Sequence, residues 1–156
     1  MSETSKAVIF QAGNEEYALP IFNVISIEKM EEITPVPQMP DFFMGVVKVR
    51  DQLIPAIDSE AILYQRRLQP DNQTRMIVLD ADGISFGVVV KAATEIMEIP
   101  AESILRPELA AFHKVDYLKG IATLSDRMVI ILDPGRMIES LEGIKEVKAV
   151  IEGGTR

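Results

Sequence analysis

Residues 45–58 read GVVKVRDQLIPAID and form the clearest structural pattern in the chain. Apolar residues dominate both ends of this stretch, and the polar turn at 50–52 separates them, which predicts a β-hairpin. Asp58 closes the stretch and precedes a short helical segment at 59–63. We interpret Asp58 as its N-cap, because a carboxylate can accept the free N–H groups of a first helical turn.

The same pattern returns 75 residues later, where 120–133 read GIATLSDRMVIILD. The opening glycine, the turn aspartate and the closing aspartate are identical in the two copies. Upstream, the apolar pattern of 8–27 also recurs, 69 residues later. We predict a single domain over 1–156 with an internal repeat at about 7–66 and 75–140. Each repeat is too small to bury a large core alone, so the two should pack together.

The second repeat continues into a C-terminal segment with helical periodicity. Asp133 and Pro134 are typical of an N-cap and a first helical residue. Apolar residues from Met137 to Ile151 then follow at spacings of three or four, which predicts a C-terminal helix over 139–152. The helix either packs on the β units or binds a partner, and the pattern leaves both open.

The composition excludes several classes of function. The 156 residues carry a net charge of −8, which argues against binding nucleic acid or an anionic membrane surface. Cysteine is absent and histidine occurs once, so thiolate sites and two-histidine metal motifs are excluded, and no cofactor or metal is predicted. The densest apolar runs, at 86–90 and 128–132, have five residues each, far short of the roughly 20 of a membrane span.

One literal catalytic motif is present. Residues 83–87 read GISFG, which matches the G-x-S-x-G nucleophile elbow, and His113 follows downstream. An elbow needs a strand, a sharp turn at the serine and then a helix. Here the turn pair Asp82-Gly83 precedes Ser85, and an apolar strand pattern follows it. We therefore keep a serine hydrolase only as a remote alternative and predict a non-catalytic binding module.

Three segments together resemble the CheW family of bacterial chemotaxis coupling proteins. The first covers residues 8–27, the second covers 45–58, and the third consists of the blocks 87–90, 117–122 and 126–133. The resemblance extends over nearly the whole chain. It implies an all-β fold with short helices, made of two intertwined SH3-like five-stranded β-barrels. It also implies a non-catalytic scaffold that couples methyl-accepting chemoreceptors to the histidine kinase CheA. The expected location is the cytoplasm, at receptor arrays on the inner membrane and without insertion into it.

The resemblance also implies site residues. The surfaces that would face the regulatory domain of CheA include Val24, Ser26, Ile27, Leu105, Arg106 and Phe112. The surface that would face the cytoplasmic tip of the receptor includes Gly45, Arg50, Ala93 and Ile96. A guanidinium suits the position of Arg50 because it is always charged and forms directional hydrogen bonds.

Four residues depart from the family's G-x-x-N-L-R-G-x-x-x-P-x-x-D-L signature. Lys48, Val49, Asp51 and Ser59 stand where the signature has Asn, Leu, Gly and Leu. These changes keep a second interpretation open, in which the chain is an accessory or competing coupling domain. Such a domain would serve a divergent receptor or a sensory kinase outside chemotaxis.

Overall fold

A computed structural model describes residues 4–30, 32–81, 83–105 and 117–154. Short strands dominate these residues, as the hairpin pattern predicts. The strands are β1 Thr4–Ala12, β2 Glu15–Pro20, β3 Val24–Lys29, β4 Phe43–Val49, β5 Gln52–Asp58, β6 Arg75–Ala81, β7 Ile84–Val90, β8 Ala92–Pro100, β9 Ile104–Leu105, β10 Leu118–Leu124 and β11 Arg127–Leu132. The helices are α1 Ser59–Tyr64, α2 Pro134–Ser140 and α3 Ile144–Gly154.

The strands form two sheets, which we call barrel A and barrel B. Barrel A has the strand order β8-β1-β2-β11-β10-β9, and barrel B has the order β3-β6-β7-β5-β4. The predicted all-β fold of two intertwined SH3-like barrels is confirmed. Barrel B has the expected five strands, whereas barrel A has a sixth, the two-residue strand β9.

Each barrel takes strands from both halves of the chain. Barrel A combines β1 and β2 with strands of the second half, and barrel B combines β6 and β7 with strands of the first half. Two parallel pairings make the exchange, β5 with β7 and β11 with β2. They occupy equivalent places in the repeat, because the pair Ala56–Gly87 corresponds to the pair Ile131–Ala18. The exchange is therefore reciprocal.

The apolar core has three parts. One cluster lies within barrel A and includes Ile9 and Val129, and another lies within barrel B and includes Ile54 and Val89. The largest cluster contains residues of both barrels and of the helices, and Phe10, Phe86 and Ile138 are among its members. Burial of this shared cluster holds the two barrels together, since apolar area removed from water is the main favourable term in folding.

Aspartate caps begin the first two helices, as the sequence predicts. The Asp58 carboxylate accepts hydrogen bonds from the backbone N–H groups of Glu60, Ala61 and Leu68, at 2.9, 3.2 and 2.9 Å. The Asp133 carboxylate accepts one from the N–H of Arg136 at 3.1 Å. The signature aspartate thus fixes both α1 and the loop that follows it.

The prediction of one continuous C-terminal helix over 139–152 is wrong. The chain leaves the helical conformation at Leu141, and Gly143 has a φ of 93°, which L-residues rarely adopt. Helix α3 then starts at Ile144. Ile144 and Val147 belong to the core cluster shared by the barrels, so this helix packs on the protein, in agreement with the first of the two alternatives.

Ser59 leaves a buried hydroxyl without a hydrogen-bond partner. The residue is 2% exposed, and its Oγ contacts no donor or acceptor among the described residues. We expect Ser59→Ala to raise the free energy of unfolding by about 1 kcal/mol, because it removes a polar group whose burial is not compensated. Urea denaturation measures the change. Ser140→Ala is the control, since the Ser140 hydroxyl donates to the Met137 carbonyl at 2.8 Å and its removal should bring no gain.

Candidate docking surfaces

Strand β3 forms one edge of barrel B and presents an apolar face to solvent. Its residues alternate, so that Ile25 and Ile27 are 48% and 40% exposed, while Val24 and Ser26 are half-buried. Just before the strand, Phe22 is 94% exposed in a single 3-10 turn. We call Phe22, Ile25 and Ile27 the β3 face. Of the three residues predicted on this strand, only Ile27 points outward.

A β-bulge gives the β3 face its shape. Val24 pairs with Leu79 and Ser26 pairs with the preceding residue Val78, so Ile25 is an extra residue with no partner on β6. An extra residue of this kind bends a strand and re-aims its side chains. The bulge explains why sequence reasoning missed Ile25, because a bulge depends on pairing with a distant strand.

Strand β8 forms the equivalent edge of barrel A. Ile9 pairs with Glu95 and Phe10 pairs with Ala93, so Thr94 is the extra residue and the bulge recurs at the equivalent place. Ile96 is 57% exposed, and Ala93 is half-buried beside the bulge. Ile96 and Ile27 therefore occupy equivalent positions on the two edges, and we call the outward surface of Ala93 and Ile96 the β8 face.

A third exposed apolar surface lies at the other edge of barrel A. Leu105 on β9 is 65% exposed and pairs with Ile121 on β10. Met128 on β11 is 58% exposed and was missed by the sequence reasoning, because its position in an apolar strand pattern predicts burial. Arg106 and Phe112, predicted on the same surface, lie outside the described residues.

Arg50 lies at the tip of the β4–β5 hairpin. Arg50 and Asp51 have φ values of 50° and 66°, the left-handed conformations of a type I′ turn. Asp51 approaches Lys48 at 3.9 Å rather than Arg50, and both side chains are so exposed that the pair contributes little. Among the described residues, no carboxylate lies within 4.0 Å of the Arg50 guanidinium, which is exposed and available to a partner.

We expect Asp51→Gly to stabilise the protein by about 1 kcal/mol, because glycine adopts a positive φ without a steric penalty. The melting temperature should rise by about 3 °C in a scanning calorimeter. Asp126→Gly is a matched control in the equivalent hairpin. Asp126 is not among the described non-glycine residues with positive φ, so glycine should destabilise that turn or leave it unchanged. A gain from both substitutions would contradict the role of backbone strain.

Gly45 is buried and has no side chain to offer a partner. A Cβ atom there would lie 2.7 Å from the Thr34 carbonyl carbon and overlap the carbonyl oxygen. Thr34 and Val46 exchange two hydrogen bonds of 2.9 Å at this place. The structure thus gives Gly45 a packing role, in which it lets the proline-rich segment pair closely with strand β4, and its place on the receptor-facing surface stays a prediction.

The catalytic alternative is wrong. Ser85 is the second residue of strand β7, which continues to Val90 and leads into strand β8 rather than into a helix. The sharp turn that an elbow requires at its serine is therefore missing from this segment. His113 lies outside the described residues. Among the residues described, there is no group of three or more His, Cys, Asp or Glu side chains placed to hold a metal ion.

The helices described here include none with the length and apolar character needed to cross a bilayer.

Comparisons with known proteins agree with this architecture. The family model described as a CheW-like domain matches residues 6–142. The chain is 33% identical over 136 residues to the chemotaxis protein CheW of Klebsiella aerogenes, covering 86% of this chain and 82% of the relative. It is 28% identical over 116 residues to the protein FrzA of Myxococcus xanthus, covering 74% and 72% of the two chains.

A solved structure gives the same result. The scaffolding protein TtCheW of Thermoanaerobacter tengcongensis superposes with a TM-score of 0.81 at 28% identity, covering 90% of this chain and 96% of that one. The matching family model, the sequence relatives and the shared two-barrel architecture agree with one another. The chain therefore belongs to the CheW family of non-catalytic scaffold proteins.

Proposed function

We propose that the chain is a coupling scaffold that joins the cytoplasmic tip of methyl-accepting chemoreceptors to the regulatory domain of the histidine kinase CheA. The observation that carries the proposal is the pair of exposed apolar edges, one on each barrel, centred on Ile27 and Ile96. A protein with two separate docking edges can hold two partners at once. The proposal places the protein in the cytoplasm, at receptor arrays.

The β3 face is the proposed kinase-binding surface. Phe22, Ile25 and Ile27 expose large apolar side chains in one short segment. Their complete burial would contribute about 2 kcal/mol from Phe22 and about 1 kcal/mol each from Ile25 and Ile27, which are already partly buried. Leu105 and Met128 form the proposed second kinase-facing surface. Arg106 and Phe112 are predicted to belong to the same surface.

The β8 face is the proposed receptor-binding surface. Ile96 supplies the apolar contact. Arg50, at the hairpin tip of barrel B, supplies a guanidinium for a carboxylate or a backbone carbonyl of a receptor tip that reaches both barrels. The two surfaces differ in size and chemistry although the strands are equivalent, because Phe22 of the β3 side corresponds to Lys91 on the β8 side. This asymmetry allows one fold to discriminate between two partners.

The proposed scaffold acts through binding free energy alone. It changes kinase activity when it binds the active and inactive arrangements of the assembly with different affinities, because a ligand shifts an equilibrium only by its differential affinity. The receptor then biases the kinase through the protein that both of them contact.

Isothermal titration calorimetry tests the proposal. The full chain is titrated with the CheA regulatory domain and with a receptor-tip hairpin from the same organism, first separately and then together. We expect each partner to bind at about micromolar affinity, the regulatory domain through the β3 face, and both to bind simultaneously. A folded chain that binds neither would contradict the proposal.

A second candidate is an accessory coupling domain for a divergent receptor. The observation that favours it is the hairpin tip, where Lys48 and Asp51, 72% and 97% exposed, place a positive and a negative charge beside Arg50 instead of the signature's neutral Asn and Gly. The double substitution Lys48→Asn with Asp51→Gly separates the two candidates. If the chain serves a divergent receptor, the substitution should raise its affinity for a standard receptor tip, and an unchanged affinity would count against this candidate.

A further inference from the structure

Arg127 bridges two carboxylates at one end of barrel A. Its Nε and Nη2 atoms donate to the two carboxylate oxygens of Glu16 at 3.0 and 2.6 Å, and its Nη1 donates to Glu95 at 3.0 Å. The three side chains are 28%, 30% and 42% exposed, so solvent screens them only in part. A bidentate contact between a guanidinium and a carboxylate, such as that of Arg127 with Glu16, is both strong and directional.

The bridge crosses the open end of the barrel. Arg127 lies on β11 and Glu95 lies on β8, and in the sheet order β1 and β2 separate these strands. The register places Glu16 beside Val129 and Glu95 beside Ile9. Val129 and Ile9 both belong to the core of barrel A. The ion pairs thus close the barrel above its core and tie the edge strand β8 to the far side of the sheet.

Barrel B has no such bridge at the equivalent place. The residues that correspond to Glu16, Glu95 and Arg127 are Ser85, Ser26 and Gln52. None of them is charged, and the Ser26 hydroxyl is buried without a hydrogen-bond partner among the described residues. The fold closes barrel B without an ionic bridge, so the architecture itself does not require the bridge in barrel A.

We propose that Arg127 is a positioning residue that holds strand β8, and with it Ile96, in the conformation that receives the receptor tip. This inference rests on the proposed function, because it assigns the β8 face to the receptor. Glu95 immediately precedes Ile96, so the ion pair fixes the backbone beside the contact residue. The β3 face has no equivalent bridge, and its conformation does not depend on Arg127.

The requirement is for a guanidinium and not for a positive charge alone. A guanidinium presents five donors in a planar fork and can bind two carboxylates at once. A lysine ammonium is a point charge on a flexible stem and would favour one carboxylate over the other. Arg127→Gln leaves Glu16 and Glu95 close together without a counter-charge, so the edge strand should open more often.

Hydrogen exchange and calorimetry of the full chain test the inference together. In Arg127→Gln, we expect the backbone amides of β8 to exchange about tenfold faster, and the affinity for the receptor-tip hairpin to fall by about the same factor. Exchange in β3 should stay within twofold. In Arg127→Lys, the exchange rate of the β8 amides and the affinity for the receptor-tip hairpin should lie between the values of the wild type and those of Arg127→Gln. Arg136→Gln is the matched control, since it removes the same charge from a residue with one 4.0 Å ion contact.

Three outcomes would count against the inference, and each has a different meaning. Unchanged β8 exchange in Arg127→Gln would overturn the positioning role. Equal acceleration in β3 and β8 would show that Arg127 supports only global stability, which also overturns it. A wild-type chain that does not bind the receptor tip would overturn the proposed function and the receptor assignment, while the exchange contrast between β8 and β3 would still decide whether Arg127 positions the strand.

Discussion

Gly45→Ala should lower the free energy of unfolding by about 4 kcal/mol and the melting temperature by about 10 °C. Two effects add at this position. Gly45 has a φ of 147°, which an alanine adopts only with strain. The added methyl group would also overlap the Thr34 carbonyl and separate Thr34 from Val46, which breaks two backbone hydrogen bonds. Thermal unfolding followed by circular dichroism measures the loss.

Gly83→Ala separates the two effects. Gly83 has a φ of 76°, but a Cβ atom there would meet no described atom within 4 Å beyond its chain neighbours. Only the backbone strain remains, so we expect a loss of about 1 kcal/mol. Equal losses at both glycines would show that the positive φ dominates at Gly45 and that the close approach of Thr34 is unimportant.

The largest effect on function should come from a crossed pair of substitutions on the two edge strands. Ile27→Glu should weaken binding of the CheA regulatory domain by about a hundredfold and leave receptor binding unchanged. Ile96→Glu should weaken binding of the receptor tip by about a hundredfold and leave binding of the CheA regulatory domain unchanged. A glutamate at either position would bring an unpaired charge into an apolar contact, which costs several times the loss of the apolar area alone. Calorimetry of each variant with each partner gives the four affinities.

The equivalence of the two positions makes each variant the control for the other. Both side chains are exposed, at 40% and 57%, so neither substitution should change the melting temperature by more than a degree or two. Lys29→Glu supplies a second control on β3, because it alters charge on the same strand without removing apolar area. A loss of both partners from either single variant would contradict separate docking edges.

Much of the fold is predictable from local sequence because the signals are local. Asp58 and Asp133 mark helix starts through hydrogen bonds within a few residues. The hairpin turns at 50–51 and 125–126 separate strands that pair with each other directly. The apolar spacing continues across Gly143 and so predicts one helix where the structure has two, although a glycine is itself a helix-breaking signal.

The docking surfaces were less predictable because their exposure depends on distant strands. The sequence shows an apolar run at 24–27 but does not show which side faces β6 or that Ile25 is an extra residue. Phe22 is of a residue type usually found in protein cores, yet its side chain lies almost fully in solvent. Arg127 is separated along the chain from Glu16 by 111 positions and from Glu95 by 32 positions, so sequence spacing alone could not reveal the bridge.

The reciprocal exchange of strands has a consequence for synthesis on the ribosome. Barrel B is complete once the nascent chain has reached Val90. In barrel A, β1 and β2 are made first, but their partner β8 ends only at Pro100 and barrel A is complete only when β11 ends at Leu132. During that interval Ile9 and Ala18, which are fully buried in the finished protein, have no completed core to enter. The emerging polypeptide therefore exposes an apolar amino-terminal hairpin. The time needed to translate the residues between Val90 and Leu132 sets how long this hairpin stays exposed and needs protection by chaperones.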